Sequence, residues 1–357
     1  MKKCLLYGIL GMIFSVIACN KDEEDIMAEK ENNWFAIPNR PGELGQLLYN
    51  IYQESGVSVF VNDTLGSTYR GEDAYGNPAY DYETITEKFY IYGNRERIRF
   101  VLSRDTASMV LAAKAIKNWV VPNLPSKLSE QRIKSILLTD SLLWSVYGGD
   151  TLKRKDAKTA WVSNISVETL PVGRLFDIKQ MDTRTLKFWA GMILSVKPAT
   201  WIVTNCLDEM KMWQDTTHAD RTSKSISFFG TGGATPTSWY RYNIVTQEPE
   251  DGPGSKWYQD SWSYNKKGFL EWVDNLRIEE TGKPEWVMIY FKAPTLTIDI
   301  MNYVALVYAY SEAEFKEMFA GVEGEKKITA KRKMMLELLK KFETKFEVTR
   351  HPFTPFE

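Results

Sequence analysis

The residues that could do chemistry are few. Two carboxylate pairs stand out, Asp208-Glu209 and Glu279-Glu280. Paired acids can serve a glycosidase when they face each other across a cleft at a defined separation. Adjacent acids on one helix point in different directions, and exposed charge is their ordinary role. The chain has two histidines, His218 and His351. They are far apart, and neither belongs to a pair at metal-ligand spacing. A loop or surface role therefore outweighs a ligand role for each. The run Gly230-Thr231-Gly232-Gly233 lacks the Gly-Lys-Ser/Thr that completes a phosphate loop, so a loop is the simpler reading. No Gly-x-Ser-x-Gly elbow is present. Cys206 lies beside apolar Leu207 and reads as buried rather than reactive.

A different resource is aromatic. Trp239, Tyr240, Tyr242, Trp257, Tyr258, Trp262 and Tyr264 crowd a Gly-rich stretch between residues 221 and 268. Exposed flat rings can stack on sugars or grip a partner, and Trp and Tyr are favoured at interface hot spots. The competing reading is that these rings pin a long loop onto the domain.

The elements that must position these residues are read from periodicity. Leu44, Leu47, Leu48 and Ile51 predict a helix over Glu43 to Ser55. Val57 to Val61 alternates as a strand, turned by Asn62-Asp63. Glu87 to Tyr92, Ile98 to Leu102, Ser135 to Thr139 and Ala160 to Ser163 read as further strands. Asp105 caps a helix expected to reach Val120 and to stop at Pro122. Helices are predicted over Asp182 to Val196 and Trp201 to Trp213. Residues 221 to 268 read as a loop region with little regular structure. Four helices follow: Phe269 to Arg277, Leu296 to Tyr308, Glu312 to Ala320 and Thr329 to Phe342. Ser311 and Glu314 form a capping box before the third. Strands mixed with helices first, and helices afterwards, predict an α+β fold.

The N-terminus reads as a targeting segment. Lys2 and Lys3 precede an apolar run, Leu5 to Val16, that is too short to be a good membrane span. It closes on Val16-Ile17-Ala18-Cys19, the lipobox pattern of a bacterial lipoprotein. Residues 1–18 are then a signal peptide, and Cys19 carries acyl chains (palmitate or similar) that hold the chain to a bilayer. Residues 19–33 form a lipidated flexible tether. Within it, Asp22-Glu23-Glu24-Asp25 resembles the acidic signal that sends some lipoproteins to the outer face of the outer membrane. Loss of Lys2 and Lys3 takes the formal charge from −1 to −3, which argues against nucleic-acid binding. Of three cysteines, only Cys206 remains unlipidated in the mature chain, so no intramolecular disulfide forms.

One helix carries a resemblance. In KFWAGMILSVKP, Lys187 to Pro198, the order of residues is similar to H-E-F-G/A-H-I-L-H-Q-x-x-P. That pattern is the active-site helix of the substrate-import-associated zinc metallohydrolase lipoproteins, metallopeptidases of the zincin type. LPSKLSEQRIKSILLTDSL resembles the same family's N-terminal half, where a helix leads into a strand ending in Asp-Ser. PTLTIDIMNYVALVYAYSEAEFKEMFAG and ITAKRKMMLELLKKFETKFEV resemble its C-terminal part. The resemblance spans most of residues 40 to 350. It implies a single zincin-like domain over residues 34–357, with a mixed α/β N-terminal part to about residue 180 and a helical C-terminal half from about 181.

The departures decide the chemistry that the resemblance implies. Two histidines at i and i+4 share a helix face and bind zinc, while the glutamate between them polarises the metal-bound water. Here those positions are Phe188, Trp189 and Met192, and the pattern's third histidine falls on Ser195. In the family's acidic helix only Asp299 keeps a carboxylate. Phe and Trp offer no lone pair, and a thioether is a poor zinc ligand. The expectation is a degenerate member without cofactor, metal or catalytic residue. Phe188, Trp189, Met192 and Asp299 mark the vestigial metal site. An amphipathic helix of an unrelated fold, with Leu186, Trp189, Ile193 and Val196 as its stripe, would look the same.

The function that follows from the resemblance is that of a non-catalytic, surface-exposed outer-membrane lipoprotein. It would be an accessory or ligand-binding subunit of a nutrient-import system built on a TonB-dependent transporter and a SusD-like lipoprotein, with a peptide or glycan as ligand. The alternatives are a free-standing glycan-binding lipoprotein using Trp239, Trp257, Tyr258 and Trp262, and a hydrolase of unrecognised carboxylate chemistry.

Overall fold

The computed structural model describes residues 33–85, 97–145, 161–162, 169–218, 238–243, 248–249, 265, 268–270, 275–280, 283–291 and 294–356. Cys19 and the tether as far as residue 32 lie outside these residues, as do Trp257, Tyr258, Trp262 and the strand expected over Glu87 to Tyr92. Residues 35–357 form one compact unit. Helices and strands coexist in it, and the fold class is α+β.

Helix α1, Glu43–Ser55, ends on Gly56 in the left-handed conformation at φ 74°, whose N–H donates to the Tyr52 carbonyl. This is the turn that glycine accommodates at a helix C-terminus. Strand β1, Ser58–Phe60, follows directly and is fully buried. It pairs parallel with β5, Ser135–Ser145, and β5 pairs parallel with β6, Thr169–Val172. Strand β4, Arg97–Leu102, runs antiparallel to the far half of β5. Two turns, Ser129 N to Ser126 O and Arg132 N to Ser129 O, lead into β5 where the resemblance implies a helix.

Between β1 and β4 the chain forms a hairpin that sequence reasoning missed. Strands β2, Thr64–Glu72, and β3, Pro78–Thr84, pair antiparallel with two bulges, and most of their residues are exposed. The alternation of Tyr80 and Tyr82 with Asp81 and Glu83 in β3 was the signal that could have found it.

Helix α2, Thr106–Ala115, starts as expected at Asp105, whose side chain accepts from the N–H groups of Ala107 and Ser108. It does not run to Val120 as one α-helix. A π-turn at Ile116–Val120 and a 3-10 turn at Val121–Asn123 complete it. This geometry buries Trp119, whose indole donates to the Thr354 carbonyl at 2.6 Å. Of the strand expected over Ala160 to Ser163, the described residues Trp161 and Val162 make one bridge, Val162 to Val172, and the other two lie outside the described residues.

The next helix differs from its prediction. Helix α3 spans Thr183–Asn205 with Pro198 inside it, and α4 spans Leu207–His218. The break falls at Cys206, at φ −120° and ψ 54°, and not before Trp201. Proline removes one backbone donor and costs about 3 kcal/mol in a helix interior. The twelve buried residues of α3 outweigh that penalty by packing, because tertiary burial overrides local propensity.

The C-terminal half is not wholly helical. Strands β7, Ser238–Asn243, β8, Glu248–Pro249, β9, Asn275–Glu280, and β10, Lys283–Phe291, form a second antiparallel sheet in the order β8-β7-β10-β9. The loop expected over residues 221 to 268 therefore contains two strands, β7 and β8. The helix expected over Phe269 to Arg277 ends in one, where β9 pairs with β10. The β-branched and aromatic residues of β10 fit a pleated surface better than a helix.

Helices α5, Leu296–Ala309, α6, Glu312–Phe319, and α7, Glu325–Phe346, close the fold. Every residue of α5 from Asp299 to Ala309 is buried. A helix apolar on all sides belongs at the centre of a core, and α5 occupies that place. Its closest neighbour is α3. A Cβ built on Gly191 would lie 2.6 Å from the Ala305 carbonyl oxygen, so Gly191 is what lets the two backbones touch.

Candidate functional site

The four vestigial positions divide into two places. Helix α3 starts at Asp182, whose carboxylate accepts from the Thr185 N–H at 2.7 Å. One turn on, Phe188 packs edge-on against Trp161 at 5.5 Å and parallel to Tyr310 at 6.4 Å. Trp189 is fully buried, and its indole N–H donates to the Gly173 carbonyl at 2.9 Å. Met192 is buried in the same cluster. Ser195, where the pattern has its third histidine, is buried and donates to the Met192 carbonyl at 2.7 Å. Trp189, Met192 and Ser195 are core, and the half-buried Phe188 packs against it.

Asp299 is elsewhere. The contacts Phe188 to Tyr310 and Gly191 to Ala305 show that α3 and α5 run antiparallel. Asp299 precedes Ala305 by six residues, which is about 9 Å along the axis at 1.5 Å per residue. The structure therefore sets Asp299 about 9 Å of helix away from the level of Gly191 and Met192. The grouping of Asp299 with Phe188, Trp189 and Met192, implied by the resemblance, does not hold.

Asp299 instead belongs to a buried ion pair with a residue that sequence reasoning missed. Lys331 Nζ lies 2.7 Å from Asp299 Oδ2, and the Trp213 indole N–H donates to the same oxygen at 2.7 Å. The ammonium is ringed by Trp213, Phe269 and Tyr303, with Nζ 4.9, 4.8 and 5.6 Å from their ring centres. Tyr303 donates its hydroxyl to the Gly268 carbonyl at 2.8 Å. Both charged side chains are fully buried. Burial raises the Asp299 pKa against the opposing pull of Lys331, and burial lowers that of Lys331 against the pull of Asp299. A signal for this pair exists in the sequence. Ile328, Met335, Leu339 and Phe342 form the buried stripe of α7, and Lys331 stands on that stripe. A lysine on a core face needs a buried acid.

Zinc does not fit these residues. Phe188 and Trp189 hold no ligand atom, Met192 offers only a thioether, and Asp299 already neutralises Lys331. Among the described residues no group of three or more His, Cys, Asp or Glu could hold a metal ion. His351 is exposed, and its backbone N–H donates to Asn123 Oδ1 at 2.7 Å. His218 is the last residue of α4.

The other candidates separate as well. Glu209 pairs with Lys341, while Asp208 is exposed. Glu279 and Glu280 fall on β9 rather than on a helix. Cys206 is buried, and burial is the main cause that raises its pKa. Of the aromatic group, Trp239 lies on β7 opposite Tyr290 of β10. No described helix is long and apolar enough to cross a membrane.

One cleft of about 1040 Å³ lies beside the first sheet. Asn62 and Asp63 line it just past the C-terminal end of β1, with Arg104 just past β4 and Asp140 from β5. Phe100 and Leu102 of β4 supply apolar lining. Clefts of this size with a few convergent polar groups are the usual form of a small-ligand site. Sequence reasoning did not find it, because its residues come from four separated segments, at the ends of β1, β3 and β4 and from β5. No family model, no curated protein and no solved structure matches the chain.

Proposed function

We propose that this protein is a non-catalytic, surface-exposed outer-membrane lipoprotein, a pseudo-metallopeptidase of zincin-like fold. It is held by lipid on Cys19 and serves as an accessory or ligand-binding subunit of a nutrient-import system. Its partners in this reading are a TonB-dependent transporter and a SusD-like lipoprotein.

One observation carries the pseudoenzyme part of the reading. The helix that resembles a zincin active-site helix puts Trp189 in the core, hydrogen-bonded to Gly173, and seats Gly191 on the Ala305 backbone. The side chains that replace ligands and base contribute packing. A helix kept for its shape after loss of its chemistry is what a scaffold role requires. The lipobox and the acidic tether motivate the location.

The test is a pull-down from outer membranes solubilised in mild detergent, with the chain tagged at its C-terminus. A TonB-dependent transporter recovered in near-equal amount supports the reading. Recovery of the chain alone counts against the import role. Stoichiometric zinc together with peptide cleavage by the purified chain would sink the pseudoenzyme part.

A further inference from the structure

The β2–β3 hairpin has two faces of different chemistry. Strand β3 is regular, so Tyr80, Tyr82 and Thr84 alternate onto one face. Tyr69 of β2 is the partner of Tyr80 across the hairpin, with ring centres 5.6 Å apart, and Tyr80 and Tyr82 are 6.5 Å apart. The opposite face carries an ion pair. Arg70 Nε bonds Asp81 Oδ2 there at 2.5 Å. Glu72, paired with Pro78, puts one carboxylate at the turn end of the tyrosine face, and the rings are open to solvent: Tyr69 is 56 % exposed, Tyr80 46 % and Tyr82 64 %. Three neighbouring exposed rings on one hairpin are an unusual cost for a soluble surface.

The face does not stop at the hairpin. Thr84, the last residue of β3, also lines the cleft described above, as do Asn62 and Asp63 just before β2. The Ile85 N–H donates to the Asp63 carbonyl at 2.7 Å and ties the two edges of the hairpin base together. A row of rings thus leads into a cleft that holds an amide, two carboxylates and a guanidinium: Asn62, Asp63, Asp140 and Arg104.

We propose that the tyrosine face and this cleft form one binding site for a neutral oligosaccharide. Each part fits that class of ligand. A sugar ring is apolar on its C–H face and polar at its rim, and an amphipathic tyrosine ring matches the first. Planar polar side chains accept from and donate to hydroxyl groups in pairs, which suits Asn62, Asp63, Asp140 and Arg104. The charge balance selects against anions. The rings are uncharged, and the cleft has two carboxylates against one guanidinium. A nucleic acid or an acidic glycan would meet no basic groove here. An elongated chain could lie along Tyr69, Tyr80 and Tyr82 with one end in the cleft. This inference does not depend on the import role or on the vestigial helix. It places ligand contact on residues distinct from Trp239, Trp257, Tyr258 and Trp262.

The experiment is isothermal titration of the full chain in detergent with xylan, galactomannan, laminarin and soluble starch, and with polygalacturonate as the acidic counterpart. The variants are Tyr80→Ala/Tyr82→Ala and Asp140→Asn. All these side chains are at least partly exposed, and circular dichroism with a thermal melt verifies that each variant folds. The expected result is binding of at least one neutral polysaccharide, weakened tenfold or more in the tyrosine variant and severalfold in Asp140→Asn. The proposal is overturned if no neutral polysaccharide binds, if polygalacturonate binds tightest, or if either variant keeps full affinity. Self-association that disappears in the tyrosine variant, seen by sedimentation, would overturn it in favour of a protein interface.

Discussion

Lys331 Nζ lies 2.7 Å from Asp299 Oδ2 with neither side chain exposed, and this pair joins α7 to α5 in the centre of the core. Removing one partner of a buried pair leaves an uncompensated charge, which costs about 3–5 kcal/mol. Lys331→Met is expected to lose that much in urea denaturation. Asp299→Leu/Lys331→Met is expected to recover a large part of the loss, since apolar replacements of both partners are often neutral. A single variant within 1 kcal/mol of the parent would show that the pair is not closed to water.

Gly191 tests the helix contact. In an exposed helix interior Gly→Ala stabilises by about 1 kcal/mol. Here the added Cβ would meet the Ala305 carbonyl oxygen at 2.6 Å. Gly191→Ala is therefore expected to destabilise by about 1–3 kcal/mol, as overpacked cores do. A rise in Tm would mean that α3 and α5 are not in backbone contact.

Glu314 sets an acid limit. The Ser311 backbone N–H, and then Lys187, hold its carboxyl down to about 2 from 4.5. The folded pKa lies below the unfolded one, so the stabilisation is present above about pH 4.5 and is lost as pH falls toward 2. The Tm gap between the parent and Glu314→Gln should be full at pH 6 and close as pH falls through that window. A gap that stays constant to the acid end would refute the linkage.

Asn302 is fully buried on α5, and neither its Oδ1 nor its Nδ2 finds a hydrogen-bond partner among the described residues. An unmet buried polar group costs about 1–3 kcal/mol. Asn302→Leu should be neutral or stabilising in a thermal melt. Asp299 Oδ1 likewise has no hydrogen-bond partner among the described residues, and a drop of several degrees would indicate a water molecule held between it and Asn302.

Local signals were readable wherever a short stretch decided its own structure. Asp105 and Ser311-Glu314 cap their helices because capping needs only side chain and backbone within three residues. The C-terminal helices follow from apolar spacing. Cys206 is buried as read, although Leu207, the neighbour that suggested it, is 70 % exposed. The spacing predicted a helix from Asp182 to Val196, and the structure carries that helix on to Asn205. The zincin resemblance grouped Asp299 with Phe188, and that grouping fails because axial level on two antiparallel helices is set by where Gly191 meets Ala305.

By itself, then, the sequence determined the helix starts at Asp105, Asp182 and Ser311, and that Phe188, Trp189 and Met192 could not hold zinc. Side-chain chemistry needs no fold to be stated. Only the tertiary structure decided that α3 runs through Pro198, that β7, β9 and β10 form a sheet, and that Lys331 finds Asp299. It alone set Tyr69 beside Tyr80 and led their face into the cleft. Each of these depends on partners distant in the chain, and burial against such partners outweighs the local preference of any short window.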